Sequence, residues 1–301
     1  MIVSVTLNPA LHVDYAADRV QLGTANEVGR VRHRVGGRGL AMARLVHTFG
    51  HDVTAAGLAG GSAGELIKSE LARVGVATRF TRIAAETRRV VRVTDSYGHA
   101  TSFREPAPYI TTEELGRLAA DYRAMLDDAT AVVLSGTLPA GLPTETYGSL
   151  TSYATAAGVP VILDAGGSAL RYGAARGPAL VVPDIAADAA GLDPACAGTV
   201  VLATERGAQA VTPKGRWLAE ISPTANESAH HDEAGEEDLD GYRAGLVAGL
   251  VPGLALGWSW PDMLRHAVAL AASASASGEA DLVGYEALLP EVVVTGPAGM
   301  T

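Results

Sequence analysis

A glycine-rich turn is the segment of this chain whose residue types and spacing best suit ligand binding. Gly36, Gly37, Arg38 and Gly39 directly precede a helical pattern. Glycines before a helix allow the backbone to approach a ligand closely and leave free N–H donors at the helix start. Taken alone, such a turn is more often a plain tight bend than a binding loop.

A second segment makes ligand binding more specific. The run 134–143 reads Leu-Ser-Gly-Thr-Leu-Pro-Ala-Gly-Leu-Pro and begins where an apolar strand ends. Open α/β sheets bind their ligands at the carboxyl ends of their strands. Ser135 is therefore a candidate substrate-binding residue.

A metal site is the weaker interpretation of the acidic segment 224–240. His230, His231, Asp232 and Glu233 are residue types that bind metals. Sequence neighbours rarely chelate one ion from a single strand or helix face, and the sequence offers no complete ligand set. The segment lacks apolar periodicity, so we interpret it as a long solvated loop and predict no metal site within it.

Composition excludes several functional classes. The chain has 301 residues, 48% of them hydrophobic and 19% charged, which is typical of a folded globular protein. Its formal charge of −10 argues against nucleic-acid binding, although a local arginine cluster could still bind an anionic metabolite. Cys196 is the only cysteine, which favours a reducing compartment. We find no signal peptide or apolar run of about 18 residues, and expect a cytoplasmic protein without membrane contact.

Apolar strand-length runs alternate with helical patterns through most of the chain. The predicted strands are 3–7, 53–56, 131–134, 159–163, 179–182 and 199–203, and the predicted helices between them are 39–49, 64–74, 112–126 and 145–157. Such alternation predicts a mainly parallel sheet covered by helices on both faces. The C-terminal third is predicted to be helical over 239–250, 260–273 and 285–289, followed by an edge strand at 292–294.

Three further segments alternate polar and apolar residues with a period close to two. They cover about 12–20, 26–35 and 88–103. This pattern is typical of strands with one wet face, so we predict a small antiparallel sheet that forms a lid over the site. Ordinary surface hairpins are the alternative.

At the level of motifs, the chain resembles the PfkB carbohydrate kinases of the ribokinase-like fold, most closely the branch of 1-phosphofructokinases and tagatose-6-phosphate kinases. The resemblance runs from residue 1 to about 294 and rests on the runs 6–11, 36–39, 57–65, 86–88, 105–106 and 134–143. It implies one ribokinase-like domain over 1–301, a three-layer α/β/α architecture with the small β lid. It also implies transfer of a phosphoryl group from ATP, with Mg, to a hydroxyl of a ketohexose phosphate.

The resemblance implies a substrate end near the lid that departs partly from the family pattern. His12 stands where the family has a sugar-binding Asp, and Asp14 lies two residues further on the same strand face. Arg38 replaces the usual Lys. Arg88 matches the phosphate-binding Arg, and Arg104 adds a cation, so the three arginines are predicted to converge on a phosphate or carboxylate.

The nucleotide end departs further from the family pattern. Where the family has Lys-Pro-Asn-x-x-Glu, this chain reads Val-Pro-Asp-Ile-Ala-Ala over 182–187. Asp184, or alternatively Asp188, is the candidate to replace part of this motif. At the position of the family's nucleotide-binding turn, this chain reads Leu-Ala-Thr-Glu-Arg-Gly over 202–207. Thr204 and Gly207 are the nucleotide-binding candidates in this turn. Leu239 is a further nucleotide-binding candidate beside the catalytic position.

The catalytic loop aligns in two ways. Asp240 fits the register of the following helix, whereas Asp232 fits the spacing of the loop motif, and we prefer Asp240. In either alignment the family's glycines before the acid are absent, and Glu237 and Asp238 would repel a phosphate. Three hypotheses follow: a slow or altered sugar-phosphate kinase, an inactive pseudokinase that binds an anionic small molecule or a protein partner, or a kinase with a different acceptor such as a cyclitol or nucleoside. The resemblance also implies a homodimer formed through the lid.

Overall fold

Strands and helices alternate along the chain, as the sequence predicts. The computed structural model describes residues 1–192, 197–222, 236–274, 279 and 281–298, with the backbone alone for 236–238. Its strands are β1 Ile2–Thr6, β2 Ala10–Ala16, β3 Arg30–Gly36, β4 Val53–Ala59, β5 Ala77–Arg82, β6 Arg89–Thr94, β7 Ala100–Arg104, β8 Ala131–Ser135, β9 Val161–Ala165, β10 Leu180–Pro183, β11 Thr199–Thr204, β12 Gly207–Thr212, β13 Gly215–Ile221 and β14 Val292–Ala298. Its helices are α1 Arg38–Thr48, α2 Gly61–Arg73, α3 Thr112–Leu126, α4 Thr146–Ala156, α5 Gly167–Ala174, α6 Ala186–Ala189, α7 Glu236–Leu256, α8 Trp260–Ser273 and α9 Leu282–Leu288.

The main sheet has ten strands in the order β14-β13-β12-β11-β10-β9-β8-β1-β4-β5. Seven neighbouring strands pair in parallel, namely β11, β10, β9, β8, β1, β4 and β5. Beyond β11, the strands β12, β13 and β14 extend the sheet in antiparallel pairing. Its central strands β1, β8 and β9 are buried along their whole length. Burial on both faces explains their continuous apolar sequence.

Two apolar clusters lie on opposite faces of this sheet. One contains buried residues of α1, α2, α7 and α8, and the other contains residues of α3, α4 and α5. The predicted three-layer α/β class is therefore confirmed. Among the described residues no helix is long and apolar enough to cross a membrane.

The lid is a separate four-stranded sheet in the order β3-β2-β6-β7. The predicted segment 88–103 contains two of these strands, and β3 begins four residues later than the predicted start at 26. The β2–β3 and β6–β7 pairs are antiparallel, whereas β2 and β6 pair in parallel. A parallel pair requires a long connection, and the chain passes through the main sheet between these two strands.

The C-terminal part corrects one prediction. Residues 236–238 were expected to belong to a loop, but they form the start of α7, which begins three residues before the predicted helix at 239. The rest of that predicted loop lies outside the described residues, as does Asp232. The predicted edge strand at 292–294 is confirmed, since β14 occupies one edge of the ten-stranded sheet.

Candidate active site

Polar side chains gather at the carboxyl ends of neighbouring strands. Thr6 ends β1, Ser135 ends β8, Asp164 lies one residue before the end of β9, and Asp184 directly follows β10. Because β10, β9, β8 and β1 are adjacent and parallel, these residues share one edge of the sheet. This is the edge at which open α/β sheets bind ligands.

Arg38 is the centre of this group. It is the first residue of α1, and its side chain is only 8% exposed. Arg38 Nη1 lies 2.6 Å from Asp184 Oδ1 and 3.5 Å from Asp240 Oδ1, and Arg38 Nε lies 3.4 Å from Asp164 Oδ2. The predicted anion-binding arginine is thus already surrounded by three carboxylates.

The charges in this cluster shift one another's pKa values. Burial alone would lower the pKa of Arg38, but the three aspartates outweigh burial and raise it. Burial raises the pKa of Asp164, against the opposing effects of Arg38 and Ser135. Desolvation likewise raises the pKa of Asp240, against the opposing effect of Arg38.

A second arginine ties α7 to the same edge. Arg243 Nη1 lies 3.2 Å from Asp184 Oδ1, and Arg243 Nη2 donates to the Pro183 carbonyl at 2.9 Å. Arg243 is three residues beyond Asp240, so both side chains lie on one face of α7. Two arginines against three aspartates leave one formal negative charge in the cluster.

Buried polar atoms without a partner line the same edge. Ser135 Oγ donates to Asp164 Oδ2 at 2.5 Å, whereas Asp164 Oδ1 has no hydrogen-bond partner among the described residues. The Thr6 hydroxyl is also unpaired within that part of the chain. Gly39 leaves room here, because a Cβ atom at this position would lie 2.4 Å from Thr6 Oγ1. Buried polar groups are rarely left unpaired, so these atoms suit the hydroxyl groups of a ligand.

The lid contributes a separate set of side chains. In the β2–β6–β7 ladder, His12 is in register with Val90, and Val90 with Arg104. Arg88 directly precedes β6, and burial, followed by the nearby charge of Arg104, lowers the pKa of Arg88. The two arginines therefore lie close together, whereas Arg38 is bound by the aspartates.

His12 and Asp14 have different surroundings. A Cβ atom at Gly36 would lie 2.2 Å from the His12 ring, so a larger residue at this position would displace the imidazole. Asp14 accepts two hydrogen bonds from Arg34, at 2.5 and 3.1 Å. Asp14 is therefore committed to an ion pair within the lid.

Residues 9–185, more than half of the chain, match the pfkB family of carbohydrate kinases. The chain belongs to this family.

Solved structures of pfkB-like kinases share the whole fold. A possible 1-phosphofructokinase from Thermotoga maritima superposes with a TM-score of 0.81 at 22% identity, covering 98% of both chains. Phosphofructokinase-2 from Escherichia coli in complex with fructose-6-phosphate gives a TM-score of 0.80 at 21% identity, over 96% of this chain and 98% of that one. A carbohydrate kinase from Agrobacterium tumefaciens gives 0.72 at 16% identity, over 98% and 99%. The predicted ribokinase-like fold is confirmed.

Within the pfkB fold, the Glu86-Thr87 motif joins α2 to the lid. Glu86 accepts hydrogen bonds from the backbone N–H groups of Ser62 and Ala63 at the start of α2, and it also pairs with Arg89. Thr87 Oγ1 accepts from the Gly60 N–H at 2.9 Å. These contacts position Arg88, which follows directly.

The predicted nucleotide residues are divided between two places. Asp184 belongs to the Arg38 cluster, whereas Thr204 and Gly207 are paired residues of the β11–β12 hairpin. The Tyr242 hydroxyl donates to the Gly207 carbonyl at 2.8 Å, which holds this hairpin against α7. Leu239 is 54% exposed beside Asp240.

The position of Asp240 in α7 differs from the expected one. The helix begins at Glu236, so Asp240 is its fifth residue. Its backbone N–H falls within the helical hydrogen-bond pattern, since only the first four N–H groups of a helix lack an internal partner. The N–H groups of α7 that lack a partner within the helix therefore precede the catalytic candidate.

Sequence reasoning missed Asp164 and Arg243. Asp164 follows three apolar residues near the end of a predicted strand, and a carboxylate at a strand's carboxyl end is a signal that could have identified it. Arg243 could have been found from its spacing of three from Asp240 on a predicted helix.

Proposed function

We propose that this protein is a slow ATP-dependent kinase that transfers a phosphoryl group to a hydroxyl of a ketohexose phosphate, as 1-phosphofructokinases do. Family membership supports the carbohydrate kinase class. Structural neighbours named as phosphofructokinases, one of them bound to fructose-6-phosphate, support a sugar phosphate as acceptor.

The observation that carries the proposal is the convergence of Asp240, Asp164 and Asp184 on Arg38 at the carboxyl edge of the sheet. Asp240 is the most exposed of the three, with 58% of its side chain accessible, so a substrate can reach it. Desolvation raises the pKa of its carboxyl, which makes it a better proton acceptor than an ordinary surface aspartate.

In the proposed reaction, the acceptor hydroxyl attacks the terminal phosphorus of ATP. Its oxygen forms the new P–O bond, the bond to the bridging oxygen of ADP breaks, and the hydroxyl proton passes to Asp240. Arg88 and Arg104 hold the phosphate already present on the acceptor, as paired guanidinium groups bind oxyanions. His12 donates to an acceptor hydroxyl or to that phosphate.

Magnesium fits the donor set of the cluster. No group of three or more His, Cys, Asp or Glu side chains within the described ranges is arranged to hold a metal. A magnesium ion usually takes only one or two protein carboxylates and completes its shell with water and phosphate oxygens. Asp164 and Asp184 supply such carboxylates, and the bound ion would neutralise charge on the triphosphate.

Two features of the site support a low rate. Arg38 is held by three carboxylates instead of facing an open phosphate position. The backbone N–H of Asp240 is internal to α7 and cannot bind developing charge on a phosphate. Loss of one preorganised donor typically costs about 10²- to 10³-fold in rate.

The same features favour the second candidate, a pseudokinase that binds an anionic small molecule without using ATP. Under this alternative, the Arg38 cluster is a structural ion network and only the lid arginines bind a ligand. The two candidates differ in whether ATP is consumed.

Calorimetric titration with MgATP, followed by an ADP-release assay with fructose 1-phosphate, fructose 6-phosphate and tagatose 6-phosphate, distinguishes them. We expect millimolar or tighter MgATP binding and slow turnover that is lost in Asp240→Asn. Asp127→Asn is the matched control. Asp127 is an exposed aspartate that directly follows α3, at the amino ends of the parallel strands and away from the candidate site. Absence of MgATP binding would establish the pseudokinase alternative instead.

We further propose a cytoplasmic homodimer that forms through the lid. Exposed apolar residues on the lid support this assembly: Val31 is 52% exposed and Phe103 is 59% exposed. The edge strands β3 and β7, which carry them, need cover for such side chains.

A further inference from the structure

The helix that carries Asp240 is attached to the sheet by side chains of its first two turns. Helix α7 begins at Glu236, and Asp240 is its fifth residue. Asp240 Oδ1 lies 3.5 Å from Arg38 Nη1, whereas Asp184 Oδ1 lies 2.6 Å from the same nitrogen. Asp240 is also 58% exposed, so this ion pair holds it only loosely. The direction of its carboxylate therefore depends on the orientation of α7.

Arg243 makes two contacts with the end of β10. Its Nη1 lies 3.2 Å from Asp184 Oδ1, and its Nη2 donates to the Pro183 carbonyl at 2.9 Å. The guanidinium group is a rigid planar fork, so contacts with two successive residues fix both its distance and its angle. The Arg243 side chain is only 15% exposed, so water and salt screen these contacts less than they screen a surface ion pair.

Strand β10 supplies no cation of its own at this point. It reads Leu-Val-Val-Pro over 180–183, and all four residues are buried. The positive charges beside Asp184 come from two helices, because Arg38 belongs to α1 and Arg243 to α7. Asp184 thus joins both helices to the end of one strand.

The neighbouring residue attaches α7 to a second strand. The Tyr242 hydroxyl donates to the Gly207 carbonyl at 2.8 Å, and Tyr242 is buried. Gly207 begins β12, which is separated from β10 by β11 in the sheet. Consecutive residues of a helix point about 100° apart. Contacts in two directions with two different strands oppose rotation of α7 about its axis.

A rotation of α7 would move Asp240 out of place. Arg243 follows Asp240 by three residues, so both side chains lie on one face of the helix. Side chains extend about 5 to 6 Å from a helix axis, so a rotation of about 20° moves a carboxylate by about 2 Å. Misplacing a reacting group by about 1 Å can cost roughly 100-fold in rate.

We propose that Arg243 is a positioning residue of the proposed kinase: by binding the end of β10, it fixes the rotation of α7 that directs the Asp240 carboxylate towards the acceptor hydroxyl. The inference rests on the proposed function and adds to it a residue that acts through Asp240 without contacting the acceptor. Its removal is therefore expected to lower kcat while leaving acceptor binding intact.

The test is steady-state turnover of the full-length protein with fructose 1-phosphate at saturating magnesium and ATP. We expect Arg243→Met to lower kcat by about 30- to 100-fold and to change the acceptor KM by less than about twofold. Arg243→Lys keeps the charge without the fork, so its kcat should lie between those of Arg243→Met and the unmodified protein. Arg265→Met is the control, because Arg265 is a 37% exposed residue of α8 that pairs within its own helix.

A second measurement needs no turnover. Hydrogen exchange without substrates should become faster at residues 240–246 of α7 in Arg243→Met and stay unchanged in α8, because the start of α7 has lost its contact with β10. Circular dichroism and urea denaturation of each variant verify that it is folded under the assay conditions.

The outcomes separate the positioning role from the proposed function. An unchanged kcat in folded Arg243→Met, beside turnover in the unmodified protein, overturns the positioning role alone. Full recovery of kcat in Arg243→Lys also overturns it, since a point charge without the fork would then suffice. Absence of turnover in the unmodified protein with fructose 1-phosphate, fructose 6-phosphate and tagatose 6-phosphate rejects the proposed function instead. Unchanged exchange at 240–246 overturns the role of Arg243 whether or not the protein has turnover.

Discussion

At the residue scale, Arg38 has two properties that conflict in a phosphate-binding group. It lies at the ligand edge of the sheet, yet its side chain is 8% exposed and contacts three carboxylates. A buried charge of this kind is costly to leave without its partners. The cluster therefore holds the ends of β9 and β10 and the start of α7 together.

We predict that Arg38→Met destabilises the protein by about 3 to 5 kcal/mol, because it leaves the aspartates without their common counter-ion. Chemical denaturation measures this change. Arg73→Met is the control, since the exposed Arg73–Glu70 pair at 3.0 Å should contribute less than about 1 kcal/mol. An equal loss in both variants would contradict the role of the cluster.

Sequence reasoning identified Arg38 and its general position but not its partners. Arg38 stood out because glycines flank it before a helix, which is a local signal. Asp164 lies in β9 and Asp184 directly follows β10, each more than a hundred residues beyond Arg38, and only the strand order brings them to Arg38. Long-range pairing of this kind is not encoded in local spacing, so the predicted convergence of three arginines gave no indication of an acidic cluster.

At the element scale, the start of α3 shows how a short motif fixes an element. Thr111 and Glu114 form a capping box, and Glu114 also accepts from the Ala84 N–H at 2.7 Å beyond the end of β5. Burial acts to raise the pKa of Glu114, but hydrogen bonds from Thr111 and Ala84 outweigh it and lower that pKa. One carboxylate thus joins the helix start to the preceding loop.

We predict that Glu114→Gln costs about 1.5 to 3 kcal/mol at pH 7, because hydrogen bonds to a charged acceptor are lost. Since the folded pKa is below the ordinary value of 4.5, this stability is present above pH 4.5 and is lost as the pH falls through the folded pKa. Urea denaturation of both proteins from pH 7 downwards tests this. The stability difference should shrink on acidification; a difference that grows would refute the assignment. Glu113→Gln, at an 85% exposed neighbour, is the control.

Most elements of the sheet followed from apolar runs, and the exceptions have physical reasons. β5 was missed because it lies at an edge and alternates exposed and half-buried residues, unlike the continuous runs of β1 and β8. β12 and β13 were missed because glycine, alanine and polar residues interrupt their apolar pattern. The early start of α7 was missed because its first turn is acidic and lacks apolar periodicity, although acidic residues favour a helix N-terminus.

At the scale of the whole molecule, the lid has two unlike faces. Arginines of β3 and β6 lie on one face, and the register places Phe103, Val91 and Val13 in one row of the other. Phe103 is 59% exposed on the edge strand β7. An exposed aromatic residue at the end of an apolar row favours contact with a second subunit.

We predict that Phe103→Glu converts the proposed homodimer into a monomer, because a charge would be buried at the interface. Light scattering coupled to gel filtration measures the mass. Tyr172→Glu is the control: Tyr172 is a 45% exposed aromatic residue on α5, away from the lid. A dimer that persists in Phe103→Glu would place the interface elsewhere.

The most direct test of the proposed kinase is the rate of ADP formation with fructose 1-phosphate and MgATP, compared between the unmodified protein and Asp240→Asn. The geometry around Arg38 predicts slow but measurable turnover that falls by at least about 100-fold in Asp240→Asn, the lower end of the range for loss of proton transfer to a positioned carboxylate. Turnover that is equal in the two proteins would contradict the assignment of Asp240 and the account of the site built on it.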